Sequence, residues 1–226
     1  MLYKVVRHFY LMGKRTGCAF MVLQLQMLLP LLMEEAEALQ KCISVFRKGQ
    51  PIGDGIGSLV VARLMVNKQK QIIAQETVYS ETEYANRKLC HLKAAGPVPT
   101  VGKLSDALAK LVKIGGMNMK MIIMVDATVK LEGEKTGTIA EGVGAAIGGI
   151  GVERYQIEQV ATDLQIPLYA IVVKESLQEA ITAMKKEIAD SASGIIEIVH
   201  NMIKTKTSEG DSVLLIGVGN TVGIGQ

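Results

Sequence analysis

Two apolar segments joined by a long polar stretch most constrain how this sequence can fold. The first, Met119 to Val125, has the length of a buried strand and is followed directly by a carboxylate, Asp126. A polar, glycine-rich loop over Ala127 to Val152 leads to a helical pattern at Gln156 to Leu164 and then to the second apolar run, Leu168 to Val173. This order predicts a crossover unit of a parallel sheet, in which ligands bind at the carboxyl ends of the strands. Asp126 is expected at such an end.

The rest of the chain predicts an α/β domain preceded by helices. Residues 1–48 have helical apolar periodicity, and residues 49–226 alternate between strand and helix patterns. The predicted fold is therefore a three-layer α/β/α arrangement with a mixed, mostly parallel sheet, plus an N-terminal all-α segment. The other expected strands are Gln71–Tyr79, Lys88–Ala94 and Ser212–Ile216, and the other expected helices are Ser58–Met65, Leu104–Ile114 and a continuous Ser176–Lys204.

Composition narrows the classes of function. The net charge is only +3 and the aromatic content is 4% with no Trp, so no nucleic-acid partner is expected. Three cysteines lie far apart, at Cys18, Cys42 and Cys90. An odd, scattered set of this kind indicates reduced thiols rather than a disulfide framework, and hence a cytoplasmic protein.

The longest apolar stretch, Cys18 to Met33, is predicted to be a core helix. It contains Gln24, Gln26 and Pro30 and is short against the roughly 20 apolar residues that a bilayer requires, so no membrane span is expected. The N-terminal helices are instead expected to pack on the main domain or to join copies in a homo-oligomer. The chain opens in helical phase without an N-cap, which is compatible with a longer natural form.

Three glycine-containing loops hold the candidate binding residues. Gly53, Asp54 and Gly55 open a helix, where backbone N–H groups can face an anion or a reacting group. Taken alone, Asp54 is better explained as a turn or N-cap residue. A second loop contains Thr100, Gly102 and Lys103, which could stabilise developing negative charge, although a loop lysine is more often solvated. The third loop follows the last strand and contains Gly219 and Asn220.

Several short motifs, taken in chain order, resemble the spore germination protease family. They are Ala94-Ala95-Gly96-Pro97, Thr100-Val101-Gly102, Ile123-Met124-Val125-Asp126-Ala127, Thr136-Gly137-Thr138-Ile139, Gly142-Val143-Gly144 and Leu164 to Ile171. The related hydrogenase maturation endopeptidases share the fold, and in both families a Gly-x-Gly-Asn loop is followed by an acidic turn into a helix. In this chain the two halves are separated, with Gly217–Asn220 at one end and Asp54–Gly57 near the other. The resemblance therefore implies a circularly permuted fold.

The resemblance also implies a hydrolase, most simply an endopeptidase with a protein or peptide substrate. The two essential aspartates of the germination protease fall on Asp54 and Asp126. Two carboxylates in a partly desolvated cleft cannot both ionise easily, which leaves a general acid beside a general base. In the hydrogenase endopeptidases two acids and a histidine hold a metal. Here His8, His91 and His200 fall on none of the matching loops, so a divalent metal at Asp54 and Asp126 is an alternative only.

Nearly the whole chain also resembles an uncharacterised archaeal family of unknown function, whose longer members extend further at the N-terminus. Three functions consequently stay open. The first is the hydrolase, and the second is a module that binds a divalent ion, or an anion such as phosphate or a nucleotide, with Gly53, Gly102 and Gly219 as the anion cradle. The third is an inactive scaffold that uses residues 1–48 as its interface.

Overall fold

A mixed sheet of seven strands forms the centre of the protein. The computed structural model describes residues 2–114, 118–146 and 151–225. The described strands are β1 (Gln71–Ala74), β2 (Thr77–Tyr84), β3 (Arg87–Ala94), β4 (Met119–Val129), β5 (Ile139–Val143), β6 (Leu168–Glu175) and β7 (Ser212–Gly217). The described helices are α1 (Leu2–Thr16), α2 (Ala19–Arg47), α3 (Ile56–Leu64), α4 (Leu104–Ile114), α5 (Val152–Asp163), α6 (Leu177–Ile181) and α7 (Lys186–Lys206), and a short 3₁₀ turn, Gly53–Gly55, precedes α3.

The strand order is β1-β2-β3-β7-β4-β6-β5. The four strands β3, β7, β4 and β6 run parallel, whereas β2 and β5 pair antiparallel with their neighbours at the two sides. Helices α3 and α7 pack on one face of the sheet, and α4 and α5 pack on the other. The prediction of a three-layer α/β fold with an additional helical segment is confirmed.

Strand β4 shows why its sequence is apolar without interruption. Met121, Ile123 and Val125 belong to the hydrophobic cluster under α3 and α7. The alternate residues Ile122 and Met124 belong to the cluster under α4 and α5. Because side chains alternate along a strand, a strand covered on both faces needs apolar residues at every position.

The long helix predicted after β6 is broken into α6 and α7, so the prediction of one continuous helix is wrong. Between the two helices, Ala183 forms an antiparallel bridge with Ile52, and the Met184 N–H donates a hydrogen bond of 2.8 Å to the Pro51 carbonyl. These contacts hold the chain in an extended form across the break. The predicted continuity through Gly194 is correct, since that residue lies inside α7.

Two further predictions are corrected in the strands. The expected strand Gln71–Tyr79 is divided between β1 and β2 by a turn in which Glu76 has a φ of 49°. The polar stretch expected as a loop after Asp126 instead continues β4 to Val129 and contains the edge strand β5. Asp126 is therefore inside β4, although the pairing of β4 with β7 stops at Val125. Residues 147–150 of that expected loop lie outside the described residues.

Helix α2 is not the core helix that the sequence predicted. It contacts α1 and, further along, α6. Phe20 is 66% exposed and Met27 is 75% exposed, and none of the apolar window of α2 is buried. By length and composition α2 could cross a membrane, but core helices pass the same test. The apolar composition of a helix shows that it favours apolar surroundings. It does not show which element of the structure covers the helix.

Helix α3 lies very close to the sheet, which leads to a prediction about Gly57. A β-carbon at this position would stand 2.1 Å from the Val125 carbonyl oxygen and 2.4 Å from the Val218 carbonyl oxygen. Gly57→Ala is therefore expected to reduce the free energy of unfolding by about 3 kcal/mol, measured by chemical denaturation. Gly142→Ala is the matched control, because nothing lies within 4 Å of its β-carbon position. Equal losses in the two variants would contradict the packing argument.

Candidate functional site: acidic residues at the carboxyl edge of the sheet

The loop after β7 completes the turn that begins α3. The Ser58 N–H donates to the Val218 carbonyl at 3.2 Å, and the Ser58 hydroxyl donates to the Gly219 carbonyl at 3.0 Å. The Asn220 N–H donates to Oδ2 of Asp54 at 2.8 Å. Two segments that are 166 residues apart in sequence thus form one structural unit. The structure brings together the halves of the motif that the sequence separates.

Glycine is required where these segments meet. Gly219 has a φ of 109°, and a β-carbon there would stand 1.8 Å from the Asp54 carbonyl oxygen. A β-carbon at Gly55 would stand 2.7 Å from the Asn220 carbonyl oxygen. Among the residues proposed from sequence, Asp54, Gly55, Gly219 and Asn220 therefore lie in direct proximity.

Asp54 is the accessible acid of the site. Its side chain is partly exposed, at the start of the short turn before α3. Burial raises the pKa of Asp54, and the hydrogen bond from the Asn220 N–H lowers it to a smaller extent. The carboxyl is consequently a stronger base than a solvated aspartate while one of its oxygens is held in position.

Glu175, which the sequence analysis did not single out, is the buried acid of the site. It ends β6, is 2% exposed, and neither of its carboxyl oxygens has a hydrogen-bond partner among the described residues. Its Oε2 lies against Gly53, where a β-carbon would be 2.1 Å away. Burial raises the pKa of Glu175 to about 8, with additional contributions from the charges of Asp54, Glu179 and Asp126. Glu175 therefore carries a proton at neutral pH.

Glu179, one turn into the next helix, shows the opposite behaviour. It accepts hydrogen bonds from the Ser176 N–H at 2.7 Å, from the Thr136 hydroxyl at 2.9 Å and from Lys185 Nζ at 2.7 Å. Burial raises the pKa of Glu179, but the hydrogen bonds from Lys185, Ser176 and Thr136 outweigh burial and lower it to about 2. Two neighbouring glutamates are thus held in different protonation states by the presence or absence of donors.

Asp126 lies deeper along the sheet. It is 5% exposed, and its Oδ1 accepts a hydrogen bond from the Ala127 N–H at 2.8 Å. Asp126 pairs with Val172 of β6, whereas Glu175 pairs with Val129, three positions further along the strands. Of the three charges that raise the pKa of Glu175, that of Asp126 contributes least and that of Asp54 contributes most. Glu175 is therefore coupled more strongly to Asp54 than to Asp126.

The loop with Thr100, Gly102 and Lys103 contacts the start of β2. The Thr100 hydroxyl donates to Glu76, and the Lys103 N–H donates to the Thr77 hydroxyl at 2.7 Å. A β-carbon at Gly102 would stand 2.7 Å from that same hydroxyl oxygen. The exposed Lys103 amine lies 3.9 Å from Glu153. This loop joins the site through its backbone, because the Thr100 carbonyl accepts from the Thr221 N–H at 3.0 Å.

The residues do not fit the metal that the endopeptidase resemblance implies. Across residues 2–114, 118–146 and 151–225, no three His, Cys, Asp or Glu side chains converge to hold a metal ion. His8 lies on α1, His91 lies in β3, and His200 on α7 stacks against Tyr84 with ring centroids 3.8 Å apart. None of these three histidines lies on the turn that contains Asp54 or on β4, which contains Asp126.

A surface cavity of about 320 Å³ lies beside Glu175 and is lined by residues 129–134 and 176–178. Val129 pairs with Glu175 across the strands, and Ser176 follows it in the chain. The lining includes three exposed apolar side chains, Val129, Leu131 and Leu177. A cavity of this size, lined by these three apolar side chains together with charged and polar ones, can accept a side chain of a bound ligand.

Two family models match the chain. One, described as "Domain of unknown function (DUF1512) C-terminal", matches residues 52–225. The other, described as "Protein of unknown function (DUF1512) N-terminal domain", matches residues 1–49. No curated protein matches the chain. Because neither description states an activity, a function has to be inferred from the site.

The protonated state of Glu175 makes stability depend on pH. A pKa raised from the ordinary 4.5 to about 8 means that the folded protein binds this proton more tightly than the unfolded chain. The contribution of this proton to the free energy of unfolding is complete below about pH 4.5 and is lost as the pH rises through about 8. Glu175→Gln is expected to remove this loss, which is on the order of a few kcal/mol, when the free energy of unfolding is measured across that range.

Glu197→Gln is the control for this titration, because Glu197 is an exposed glutamate of α7. Its pH dependence should follow that of the wild-type protein. If Glu175→Gln also followed the wild type at every pH, Glu175 would not hold a proton in the folded state.

Proposed function

Because the chain belongs to the DUF1512 family, whose description names no activity, we propose from its site that it is a hydrolase of the endopeptidase type. The observation that carries this proposal is the pairing of unlike acids. Asp54 is partly exposed and lies beside Glu175, whose buried carboxyl has no hydrogen-bond partner among the described residues. Enzymes obtain acid–base chemistry at neutral pH by separating the pKa values of neighbouring carboxyl groups in this way.

In the proposed reaction Asp54 is the general base and then the general acid. Its carboxylate takes a proton from a water molecule while the water oxygen bonds to the carbonyl carbon of a peptide. The carbon–nitrogen bond then breaks, and the same proton passes from Asp54 to the leaving nitrogen. One water is consumed, and Asp54 ends in its starting state. The Asn220 N–H orients the Asp54 carboxylate through Oδ2 during both transfers.

Glu175 is the positioning residue in this scheme. While it is protonated, the site contains one negative charge fewer beside Asp54, so the negative charge that develops on the peptide carbonyl oxygen during the attack of water meets less repulsion. Asp126 is proposed as the second aspartate of the site, with the weaker influence on Glu175. The proposed steps use no metal ion, and the described residues contain no group of three or more His, Cys, Asp or Glu side chains that could hold one.

A peptide substrate with an apolar side chain is supported by the cavity beside Glu175. Val129, Leu131 and Leu177 are exposed there, next to the proposed catalytic edge. We also propose that the fold is related to a circularly permuted germination-protease fold and that the protein is of archaeal origin. What supports the permutation is that the loop containing Gly219 and Asn220 meets the turn containing Asp54 in space.

The alternative of an anion-binding module has less support from the geometry. The space at Gly53 is taken by the Glu175 carboxyl, and the space at Gly219 is taken by the Asp54 carbonyl oxygen. These groups occupy the space that a phosphate would need at the two glycines. The third alternative, an inactive scaffold, is separated from the hydrolase by the following measurement.

Cleavage of a synthetic library of peptides with apolar residues, followed by mass spectrometry, tests the proposal. Asp54→Asn is expected to lower the initial rate by roughly a hundredfold to ten-thousandfold, because it removes the general base. Asp126→Asn is expected to lower the rate less than Asp54→Asn. Added chelator should leave the rate unchanged. Absence of cleavage by the wild-type protein above the level of Asp54→Asn would favour the scaffold.

The pH profile tests the role of Glu175 separately. The wild-type rate is expected to decline above about pH 8, where Glu175 ionises beside Asp54. Glu175→Gln mimics the protonated form, so it should retain activity at neutral pH and lose the alkaline decline. The control Glu197→Gln should keep the wild-type profile. An unchanged alkaline decline in Glu175→Gln would remove Glu175 from the mechanism.

A further inference from the structure

The N-terminal helices expose an apolar surface that the proposed hydrolase does not use. On α1, Val5, Phe9 and Met12 are exposed and recur at spacings of four and three residues, which places them on one face. On the first half of α2, exposed apolar residues follow the same helical spacing. They are Phe20, Leu23, Met27 and Leu31. Two neighbouring helices therefore present apolar side chains to the surroundings.

Helix α1 also has a strong positive charge. Its sequence contains Lys4, Arg7, Lys14 and Arg15 and no Asp or Glu, and all four basic residues are exposed. In the described part of the chain, none of the four forms a salt bridge. The first half of α2, from Ala19 to Met33, has no charged residue at all. The surface thus combines an apolar face with uncompensated basic residues.

The second half of α2 attaches this surface to the α/β domain. Oε1 of Glu35 accepts a hydrogen bond of 3.1 Å from Gln178 of α6. Val45 packs with Ile52 and with Val222 of the C-terminal loop in a separate hydrophobic cluster. The first half of α2 has no such attachment, since its apolar window is fully unburied. The surface formed by α1 and the first half of α2 is therefore attached to the folded α/β domain and exposed to the surroundings.

We propose that α1 and the first half of α2 bind the surface of a lipid bilayer that contains anionic lipids. An amphipathic helix with basic residues opposite its apolar face binds such a surface through acyl chains and phosphate groups together. A second copy of the chain fits less well, because a symmetric contact through the apolar faces would leave the four basic residues of α1 without an anionic partner. Helix α1 lies in the plane of the interface, since spanning the bilayer would place Lys4 and Arg7 in hydrocarbon. The uncharged part of α2, from Ala19 to Met33, is shorter than the roughly 20 apolar residues that a span requires.

The anionic surface of the cytoplasmic leaflet fits this assignment. The three cysteines are free in the structure, in agreement with reduced thiols, so we place the α/β domain on the cytoplasmic side. The inference does not depend on the proposed hydrolase, because it rests on residues 2–47 and requires no chemistry at Asp54.

Sedimentation of the full chain with phosphatidylcholine vesicles, with and without phosphatidylglycerol, tests the inference. Binding is expected to require phosphatidylglycerol and to weaken as salt is added. The combined change Lys4→Gln, Arg7→Gln, Lys14→Gln and Arg15→Gln should weaken binding about a hundredfold or more, because each basic residue near an anionic surface contributes roughly fivefold. The combined change Leu23→Gln, Met27→Gln and Leu31→Gln should abolish binding by removing apolar contact with the acyl chains.

Lys68→Gln with Lys120→Gln is the matched control, because both lysines are exposed on the α/β domain. This variant should bind like the wild-type protein. All variants should retain the wild-type unfolding temperature by circular dichroism, since the changed side chains are exposed or, for the α1 charges, unpaired. Three results would overturn the inference. They are no vesicle binding by the wild type, equal binding by the apolar variant, or a lipid-free dimer that the apolar variant dissociates, which would make this surface a contact between copies.

Discussion

The close approach of α3 to the carboxyl edge of the sheet is the constraint on which the rest of the site depends. Gly57 leaves no room between the helix and the carbonyl oxygens of Val125 and Val218. This approach places the preceding turn beside the C-terminal loop, so that the Asn220 N–H reaches Asp54. A larger residue at Gly57 or Gly219 would separate the two segments. The position of Asp54 is therefore set by the backbone contacts around it, together with the hydrogen bond that its Oδ2 accepts from the Asn220 N–H.

The neighbouring glutamates show how the protein assigns protonation states without a metal. Glu175 and Glu179 are both buried and lie four residues apart. Glu179 receives three kinds of donor, from a backbone N–H, a hydroxyl and a lysine, and is held ionised. Glu175 receives none from the described residues and faces the charge of Asp54, so it is held neutral. An unpaired buried carboxyl destabilises the fold at alkaline pH, which is the kind of cost that proteins accept at functional sites.

Much of the fold was predictable because buried strands and amphipathic helices have different periods. The β4 run and the α4 boundaries are examples, since both depend on local side-chain patterns. The break between α6 and α7 was not predictable in this way, because the apolar residues keep one helical phase and the break is produced by distant contacts with Pro51 and Ile52. Exposure of α2 was missed for a related reason, since composition cannot show what covers a helix.

In the candidate site, the proximity of Asp54 and Asn220 was suggested by a motif resemblance and could not follow from periodicity. Glu175 gave a weaker signal, since an acid after Lys174 at a strand end is also typical of a solvated strand terminus. Its burial depends on Gly53, which is remote in sequence. An acid directly after an apolar run drew attention to Asp126, whereas Lys174 separates Glu175 from the apolar run before it.

Helix α6 is short, and it contacts both α2 and the turn that contains Asp54. It begins two residues after Glu175, its Gln178 is bonded to Glu35 of α2, and the chain that follows is bridged to Ile52 beside the Asp54 turn. A displacement of α2 would therefore move the backbone that sets the environment of both Asp54 and Glu175. Helix α6 is thus a structural connection between the N-terminal helices and the backbone around the two carboxyl groups.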